Sequence, residues 1–244
     1  MSIGELWNRG YILWFLSDTE KTFDALTFFG LLGAGIFLIS MVIPYLLGSI
    51  NTAVVISRVF FRDDIRNHGS GNAGTTNMLR TYGKVAALGT LLGDVVKTAL
   101  AVSLASFLMS VHLGGWVAGI FCMIGHVFPI YYRFKGGKGV LCAATAVAFL
   151  SPDFAFPLLI LIFVAIVAMS KYVSLGSMVA AFFLPLLINT QNVLRETGGI
   201  NGLISVLMAV FVVWCHRENI KRIQNRTESK LSFKKKAKDG EETK

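Results

Sequence analysis

The stretch VAALGTLLGDVVKTALAVSLASFLMS, residues 85–110, decides the fold of this chain. It exceeds the ~20 apolar residues that an α-helix needs to cross a bilayer. The chain of 244 residues is 54% hydrophobic, only 15% charged and has a mean hydropathy of +0.63, which is too apolar for a soluble domain of this length. Six further apolar runs lie near residues 28–57, 112–131, 140–151, 155–170, 173–189 and 199–215. We therefore predict an all-α polytopic membrane protein with seven transmembrane helices, although the run at 140–151 is short for a span.

The basic residues indicate how these spans are oriented. Nearly all Lys and Arg side chains lie in alternate connections, at residues 58–84, 131–139 and 171, and in the tail from residue 217 onward. The opposite connections and the amino-terminal segment contain only Arg9, Lys21 and Arg195. By the positive-inside rule the amino terminus is outside and the carboxy terminus is cytoplasmic. An odd number of spans agrees with that orientation.

The two ends of the chain are expected to lie outside the helical bundle. Aromatic side chains near the amino terminus, such as Trp7 and Trp14, suit a membrane interface, but scattered charges surround them and no secretory signal peptide is recognisable. We assign residues 1–27 to an interfacial or flexible extension, residues 28–225 to the seven-helix membrane domain, and residues 226–244 to a basic cytoplasmic tail.

Composition argues against several kinds of site and partner. Cys122, Cys142 and Cys215 lie in apolar segments without CxxC spacing or a nearby histidine cluster, so we expect packing residues and neither a disulfide nor a zinc site. The formal net charge of +9 is concentrated in loops and tail, where anionic lipid headgroups, not nucleic acid, are the expected counterpart. No acidic cluster resembles a metal site, and we expect no cofactor and no obligate protein partner.

A polar, glycine-rich loop precedes the quoted span. It reads GSGNAGTTN at residues 69–77 and is followed by Arg80. Three glycines within six residues let the backbone turn successive N–H groups into a concavity that can hold an anion. Short polar side chains and the guanidinium of Arg80 add donors and charge. A flexible linker needs no such set of side chains, so we predict a phosphate-binding site.

Three more polar motifs fall on the same side of the membrane. They are KGGKG at residues 135–139, Ser174 and Ser177 after the fifth span, and HREN at residues 216–219. Taken alone, KGGKG is typical of a tight turn and HREN of a membrane boundary. His216 and Asn219 share one helix face. Because four separate loops converge on one leaflet, we favour a single ligand site.

Two ionisable residues, Asp94 and Lys97, lie inside the second span. An intramembrane charge indicates a functional site by default. At a spacing of three residues, however, the two side chains can pair on a helix. We favour the interpretation that they pair and fix helix packing.

The ordered motifs resemble the acyl-phosphate-dependent glycerol-3-phosphate acyltransferase family, PlsY, over roughly residues 30–228. One such motif is weak evidence, but the complete set in this order is specific. The matching segments are GSI at 48–50, the loop from His68 to Asn77 with Leu79 and Arg80, GHVFP at 125–129 leading into FKGGKG at 134–139, YVSL at 172–175 and HRENIKR at 216–222.

This resemblance implies an enzyme that transfers a fatty acyl group from acyl phosphate to the 1-hydroxyl of sn-glycerol 3-phosphate, forming lysophosphatidate and phosphate in phospholipid biosynthesis. Its partners would be these two substrates and membrane lipid, at a bacterial plasma (inner) membrane with the active site on the cytoplasmic side. The implied catalytic residues are His216, Asn219 and Lys138. The implied substrate-binding residues are Ser70, Gly71, Asn72, Gly74, Thr76, Asn77, Arg80, Gly137, Ser174 and Ser177.

The acceptor of the hydroxyl proton stays open at this point. His216 is the obvious base by residue type, whereas the family is thought to use the donor's own phosphate, which we favour. The chain also departs from the family pattern, because Asn51 and Ala73 stand where proline is usual. Losing two prolines predicts a less rigid loop without the loss of a donor.

The main alternative is a membrane transporter or binding protein for a phosphorylated metabolite, since phosphate-binding loops and seven spans do not by themselves require chemistry. The glycine loop has no counterpart in the second half of the chain. The polar motifs gather at one face instead of the midplane, where carriers usually hold substrate. A structural scaffold would leave the convergent motifs unexplained.

Overall fold

The computed structural model describes residues 23–109, 111–196 and 199–231. These residues form α-helices and short helical turns and contain no β-strand, which confirms the predicted all-α class. Most of the extension assigned to residues 1–27 and most of the tail lie outside the described residues. The α-helices are α1 (Phe23–Ser49), α2 (Thr52–Phe61), α3 (Thr75–Thr81), α4 (Lys84–Leu108), α5 (Trp116–Val127), α6 (Val140–Leu150), α7 (Ala155–Ser170), α8 (Val173–Leu194), α9 (Asn201–Cys215) and α10 (Arg217–Gln224).

Several of these helices have the length and composition of membrane spans. Four stretches meet both requirements: Leu32–Phe61, Lys84–Leu108, Leu113–Tyr132 and Val173–Leu194. Helices α9 and α10 meet them only when counted as one span with a bend of 52°. Helices α6 and α7 are apolar but shorter. Four to five spans are therefore evident in the described part of the chain, and the count of seven stays a prediction.

The bundle consists of two groups of helices. In the first group, α1 packs against α4 and α5, while α6 also contacts α4 and α5. In the second, α8 packs between α7 and α9. Contacts of α5 with α9 and of α6 with α7 join the groups. The central helix α5 carries Trp116, Cys122 and Met123, whose side chains are buried in the core.

Glycines allow a close approach between α1 and α5. A Cβ atom on Gly48 would lie 2.1 Å from the carbonyl oxygen of Cys122, and one on Gly125 would lie 2.1 Å from that of Tyr45. Each helix therefore meets the backbone of the other at a position without a side chain, as is typical of tightly packed membrane helices. This contact places the end of α1 beside the end of α5, next to the site described below.

Candidate active site

A cavity of about 730 Å³ lies where the polar loops meet the helices. One end of it, here called the polar end, is formed by Ser70, Arg80, Lys138, Ser174, His216 and Asn219 together with their neighbours. Ten of the thirteen sequence-predicted site residues line this cavity: Ser70, Asn72, Gly74, Thr76, Arg80, Lys138, Ser174, Ser177, His216 and Asn219. Gly71, Asn77 and Gly137 are not among the lining residues, and their contact with substrate stays a prediction.

Asn77 shapes the glycine-rich loop from behind. Its side chain is 1% exposed. Its Oδ1 accepts a hydrogen bond from the Ser70 N–H at 3.1 Å, and its Nδ2 donates to the carbonyls of His68 and Ile65 at 2.9 and 3.2 Å. Gly69 has a φ of +57°, and a Cβ atom there would lie 2.3 Å from Asn77 Oδ1. The loop thus needs glycine at position 69 and an amide at position 77 to hold its conformation.

The loop is also tied to the start of α2. Asn51 is fully buried and caps this helix, because its Oδ1 accepts a hydrogen bond from the Val54 N–H at 3.1 Å. Its Nδ2 donates to the carbonyl of Ala73 at 3.2 Å. The two positions at which the sequence analysis expected proline are therefore hydrogen-bonded to each other. This bond restrains the loop in a way that the sequence did not suggest.

Lys138 follows two glycines that are hydrogen-bonded to the end of α5. The Gly136 and Gly137 N–H groups donate to the carbonyls of Val127 and His126 at 3.1 and 3.0 Å. A Cβ atom on Gly137 would lie 2.1 Å from His126 Nε2, so no side chain fits at this position. The ammonium group of Lys138 donates to Asn219 Oδ1. Burial lowers the pKa of Lys138 to about 8.

His216 lies at the bend between α9 and α10. Its Nδ1 is 2.7 Å from the Val212 carbonyl, and since a carbonyl only accepts, Nδ1 carries the proton and Nε2 is the acceptor in the neutral ring. Burial, together with the nearby charge of Lys138, lowers the pKa of His216 to about 4. With this pKa, the imidazole of His216 is neutral at pH 7 and is a weak base.

A carboxylate that the sequence analysis missed lies at the polar end. Glu228 accepts hydrogen bonds from Ser174 Oγ at 2.6 Å, Asn219 Nδ2 at 2.7 Å and Arg222 Nε at 2.9 Å. Burial alone would raise its pKa, but these hydrogen bonds hold the pKa below the usual value. A single acidic residue in a basic tail carries no local signal for such a role.

The segment around Glu228 folds back onto the bundle. Arg80 donates to the Ser229 carbonyl at 3.0 Å, and the Leu231 N–H donates to the Lys171 carbonyl at 2.7 Å. The first described residues of the tail therefore close one side of the polar end. The sequence analysis placed the tail boundary at residue 226, ahead of these contacts.

Asp94 and Lys97 form the ion pair that their spacing predicts, at 2.7 Å. Lys97 Nζ also lies 2.9 Å from Nδ1 of His126, and Thr52 Oγ1 donates to Asp94 at 3.0 Å. These contacts join α2, α4 and α5. Asp94 and His126 line the cavity as well, so a role in helix packing alone does not describe them fully.

The charges of the polar end favour anions. Arg80, Lys138 and Arg222 line the cavity as cations, and Glu228 offsets one of them. The carboxylate of Asp94 is already paired with Lys97. Within residues 23–109, 111–196 and 199–231, no group of three or more His, Cys, Asp or Glu side chains is placed to hold a metal ion. The donors available to a phosphate are therefore cations, hydroxyls and N–H groups.

The rest of the cavity, here called the apolar slot, is lined by Leu91 of α4 and by apolar side chains within residues 140–147 of α6, 156–163 of α7 and 180–184 of α8. Leu91 and Ile160 are 36% and 41% exposed. A polar, cationic compartment thus continues into an apolar one. This arrangement suits an amphiphilic ligand with an anionic head and a hydrocarbon tail.

The chain shares its sequence pattern with known proteins. Residues 38–226 match the family model for glycerol-3-phosphate acyltransferase. The glycerol-3-phosphate acyltransferase of Syntrophomonas wolfei is 42% identical over 198 residues, which cover 80% of this chain and 96% of the relative. The enzyme of Bacillus subtilis is 36% identical over 193 residues, which cover 79% of this chain and 96% of the relative.

The fold is similar to crystal structures of PlsY (YgiH), an integral membrane glycerol 3-phosphate acyltransferase. The glycerol 3-phosphate form superposes with a TM-score of 0.70 at 28% identity, covering 80% of this chain and 96% of that one. The lysophosphatidic acid form superposes with a TM-score of 0.68 at 27% identity, covering 81% of this chain and 96% of that one. The resemblance predicted from the motifs is confirmed: the chain belongs to the glycerol-3-phosphate acyltransferase family of integral membrane enzymes.

Proposed function

We propose that this protein transfers a fatty acyl group from acyl phosphate to the 1-hydroxyl of sn-glycerol 3-phosphate, forming lysophosphatidate and inorganic phosphate. The observation that carries this proposal is the continuity of a cationic polar end with an apolar slot in one cavity. An acyl phosphate has the same two parts. The second substrate is also a phosphate, and the related PlsY structures include glycerol 3-phosphate and lysophosphatidic acid forms.

Two phosphate groups need several cations, and the polar end supplies three. Arg80 offers a planar fork of N–H donors, whereas Lys138 offers a compact charge. Ser70 and the glycine loop add hydroxyl and N–H donors. One of Ser174 and Ser177, which lie in the first turns of α8 and line the cavity beside them, would contact the glycerol portion of the acceptor. Closing a charged substrate between these groups would strengthen each interaction, because bulk water is displaced.

The reaction requires no covalent intermediate on the protein. Acyl phosphate is a mixed anhydride, so the 1-hydroxyl oxygen attacks its carbonyl carbon, the new ester C–O bond forms, and the bond from carbon to the phosphate oxygen breaks. Phosphate leaves with the electron pair of that bond. Holding the two substrates together and neutralising the departing phosphate supply the acceleration.

The hydroxyl proton goes to the departing phosphate in this proposal. A neutral His216 with a pKa of about 4 is a poor general base at pH 7. Before the attack, its Nε2 lone pair can accept a hydrogen bond from the 1-hydroxyl and so position the oxygen, and the proton then passes to the phosphate as the ester bond forms. Asn219, which already accepts from Lys138, would keep the ammonium group beside the phosphate that leaves.

We further propose seven spans, an external amino terminus and a cytoplasmic active site in a bacterial plasma membrane. Seven spans result if the two shorter helices, α6 and α7, cross the membrane together with the four long helices and the bent pair. The polar end then lies at the basic, cytoplasmic face. The exposed residues Leu91 and Ile160 would mark the opening through which the acyl chain enters from lipid.

Purified protein in detergent tests the activity. We expect lysophosphatidate from acyl phosphate and glycerol 3-phosphate, and none when acyl-CoA replaces acyl phosphate. Ser70→Ala, Arg80→Ala and Lys138→Ala are each expected to lower kcat/KM by roughly 100-fold or more, as the loss of a fixed electrostatic donor typically does. Lys221→Ala is the matched control, because Lys221 is exposed on α10 and does not line the cavity.

Two results would count against the proposal. Transfer from acyl-CoA but not from acyl phosphate would exclude the proposed donor. No lysophosphatidate from either donor, together with uptake of glycerol 3-phosphate into protein-containing vesicles, would favour a transporter instead.

A further inference from the structure

His126, on α5, is a buried histidine whose two ring nitrogens have different surroundings. The residue is 4% exposed, and its Nδ1 lies 2.9 Å from Nζ of Lys97. Because an ammonium group only donates hydrogen bonds, Nδ1 accepts this one and Nε2 carries the ring proton. A doubly protonated ring would carry a proton at Nε2 as well. In either form the Nε2–H group is a hydrogen-bond donor.

This donor has no hydrogen-bond partner among residues 23–109, 111–196 and 199–231. Within these residues, the only fully buried side-chain nitrogen or oxygen without a partner is Ser40 Oγ, so Nε2 of His126 is not fully enclosed by protein. Since His126 lines the cavity, the open side of Nε2 faces the cavity. A donor in such a place needs an acceptor from a ligand or from water.

Nε2 lies where the two loops that are proposed to bind phosphate come together. A Cβ atom on Gly137 would lie 2.1 Å from His126 Nε2 and 2.8 Å from the carbonyl oxygen of Ala73. The KGGKG segment and the glycine-rich loop therefore meet beside this nitrogen. The next residues in the sequence, Lys138 and Gly74, both line the cavity. The Nε2–H group thus adds a donor between the two loops.

His126 also lies at the border between the polar end and the apolar slot. Val140, which lines the slot, follows Gly137 by only three residues. Leu91, which also lines the slot, precedes Asp94 by about one helical turn, and Asp94 Oδ1 lies 3.6 Å from His126 Nδ1. In an acyl phosphate, the carbonyl group lies between the phosphate and the chain. With the phosphate at the polar end and the chain in the slot, the carbonyl falls at this border.

We propose that His126 is a further catalytic residue, whose Nε2–H donates a hydrogen bond to the carbonyl oxygen of the bound acyl phosphate. This inference rests on the proposed function. When the 1-hydroxyl oxygen attacks, the π electrons of the carbonyl bond move onto that oxygen, and they return as the bond to phosphate breaks. The proton stays on Nε2 throughout. A fixed donor at the oxygen on which charge develops stabilises the transition state more than the bound substrate.

Two amide substitutions separate the roles of the two ring nitrogens and serve as controls for each other. His126→Asn can keep an acceptor for Lys97 near the place of Nδ1 but has no group at the place of Nε2. His126→Gln reaches farther, so it can keep an N–H donor near the place of Nε2 while the acceptor for Lys97 is lost. Thermal midpoints establish that each variant is folded.

We expect His126→Asn to lower kcat and kcat/KM for acyl phosphate together, by roughly 100-fold or more, as the loss of one donor to a developing oxyanion does. His126→Gln should retain roughly tenfold more activity than His126→Asn. A role limited to holding Lys97 predicts the reverse order. Greater activity in His126→Asn than in His126→Gln, or an unaltered kcat in His126→Asn, would overturn the inference.

An alkyl phosphate of the same chain length isolates the carbonyl oxygen, because it has the phosphate and the chain but no carbonyl group. Its inhibition constant should be the same for His126→Asn as for the unaltered protein, and should rise in Arg80→Ala, where a proposed phosphate contact is lost. Weaker inhibition of His126→Asn would mean that Nε2–H donates to a phosphate oxygen, which contradicts the proposed acceptor.

One measurement does not require either variant to fold. NMR of the ring ¹⁵N nuclei in the unaltered protein should show a proton on Nε2 of His126, and a ring protonated at Nδ1 alone would exclude the proposed donor. Absence of transfer from every acyl phosphate by the unaltered protein would instead overturn the proposed function, and this inference with it.

Discussion

Gly137→Ala is expected to lower kcat/KM about 100-fold, although the protein still folds. The added Cβ would lie 2.1 Å from His126 Nε2, whereas ordinary contact begins at 3.4 Å, so a gap of 1.3 Å must open. It would also lie 2.8 Å from the carbonyl oxygen of Ala73. The His126 ring is 4% exposed and lies 2.9 Å from Lys97 Nζ, so it has little freedom to retreat. The segment that carries Lys138 must therefore move instead.

The size of the effect follows from that displacement. A misplacement of about 1 Å in a reacting group can cost about 100-fold in rate, which corresponds to about 2.7 kcal/mol of transition-state stabilisation. Overpacking of this kind typically costs ~1–3 kcal/mol of folding stability. The variant should therefore accumulate as folded protein with a modestly lower thermal midpoint.

Steady-state kinetics with acyl phosphate and glycerol 3-phosphate measure this loss. Gly33→Ala is the matched control, because nothing lies within 4 Å of a Cβ at that position. If Gly137→Ala acts through the position of Lys138, the same substitution should cost little in a Lys138→Ala background. Two results would refute this reasoning. One is a double variant in which the two losses of kcat/KM multiply as if independent. The other is a kcat/KM of Gly137→Ala within about threefold of that of the unaltered protein.

Three further outcomes are expected. Because Lys138 has a pKa of about 8, kcat/KM should fall as pH rises through that value; an alkaline decline that persists in Lys138→Arg would contradict this assignment. Glu228 has a lowered pKa, so its carboxylate stabilises the fold above an unfolded-state pKa of about 4.3 and loses this effect as pH falls below that value. Glu228→Gln should therefore cost about 2 kcal/mol at neutral pH and progressively less in acid, and a thermal deficit independent of pH would exclude this explanation. Lys97→Met should lower the free energy of unfolding by ~3–5 kcal/mol because Asp94 stays buried with its cation removed; adding Asp94→Leu should restore most of it, and no recovery in denaturation experiments would show that the pair is not the cause.

Apolar pattern predicted the helices well where it was continuous, and less well where polar residues interrupted it. The run at 155–170 coincides with α7. Helix α8 continues past the predicted end at 189 to Leu194, through residues that are polar. Asn189 Nδ2 donates to the Pro185 carbonyl, and Asn201 Nδ2 donates to Asn192 Oδ1 on α8. These hydrogen bonds satisfy polar side chains that lower the hydropathy of the segment and so hide the end of the helix from a hydropathy-based prediction.

The loops of the site could be recognised because their chemistry is local. A concavity of backbone N–H groups needs several glycines close together, and a phosphate needs a nearby cation, so GSGNAGTTN with Arg80 is informative without any tertiary structure. Composition likewise separates a membrane bundle from a soluble domain, since hydrocarbon tolerates few charges. The sequence by itself therefore determined the class of fold, the family and ten of the residues that line the cavity.

Only the tertiary structure decided how these parts act on one another. Asn51 and Ala73 are 22 residues apart, and Lys138 and Asn219 are 81 apart, yet each pair is hydrogen-bonded. Glu228, in a basic tail, acquires its hydrogen bonds only because α10 bends away from α9 and the chain returns across α8. Such contacts depend on helix packing and not on neighbouring residues, and for that reason sequence pattern carries no signal for them.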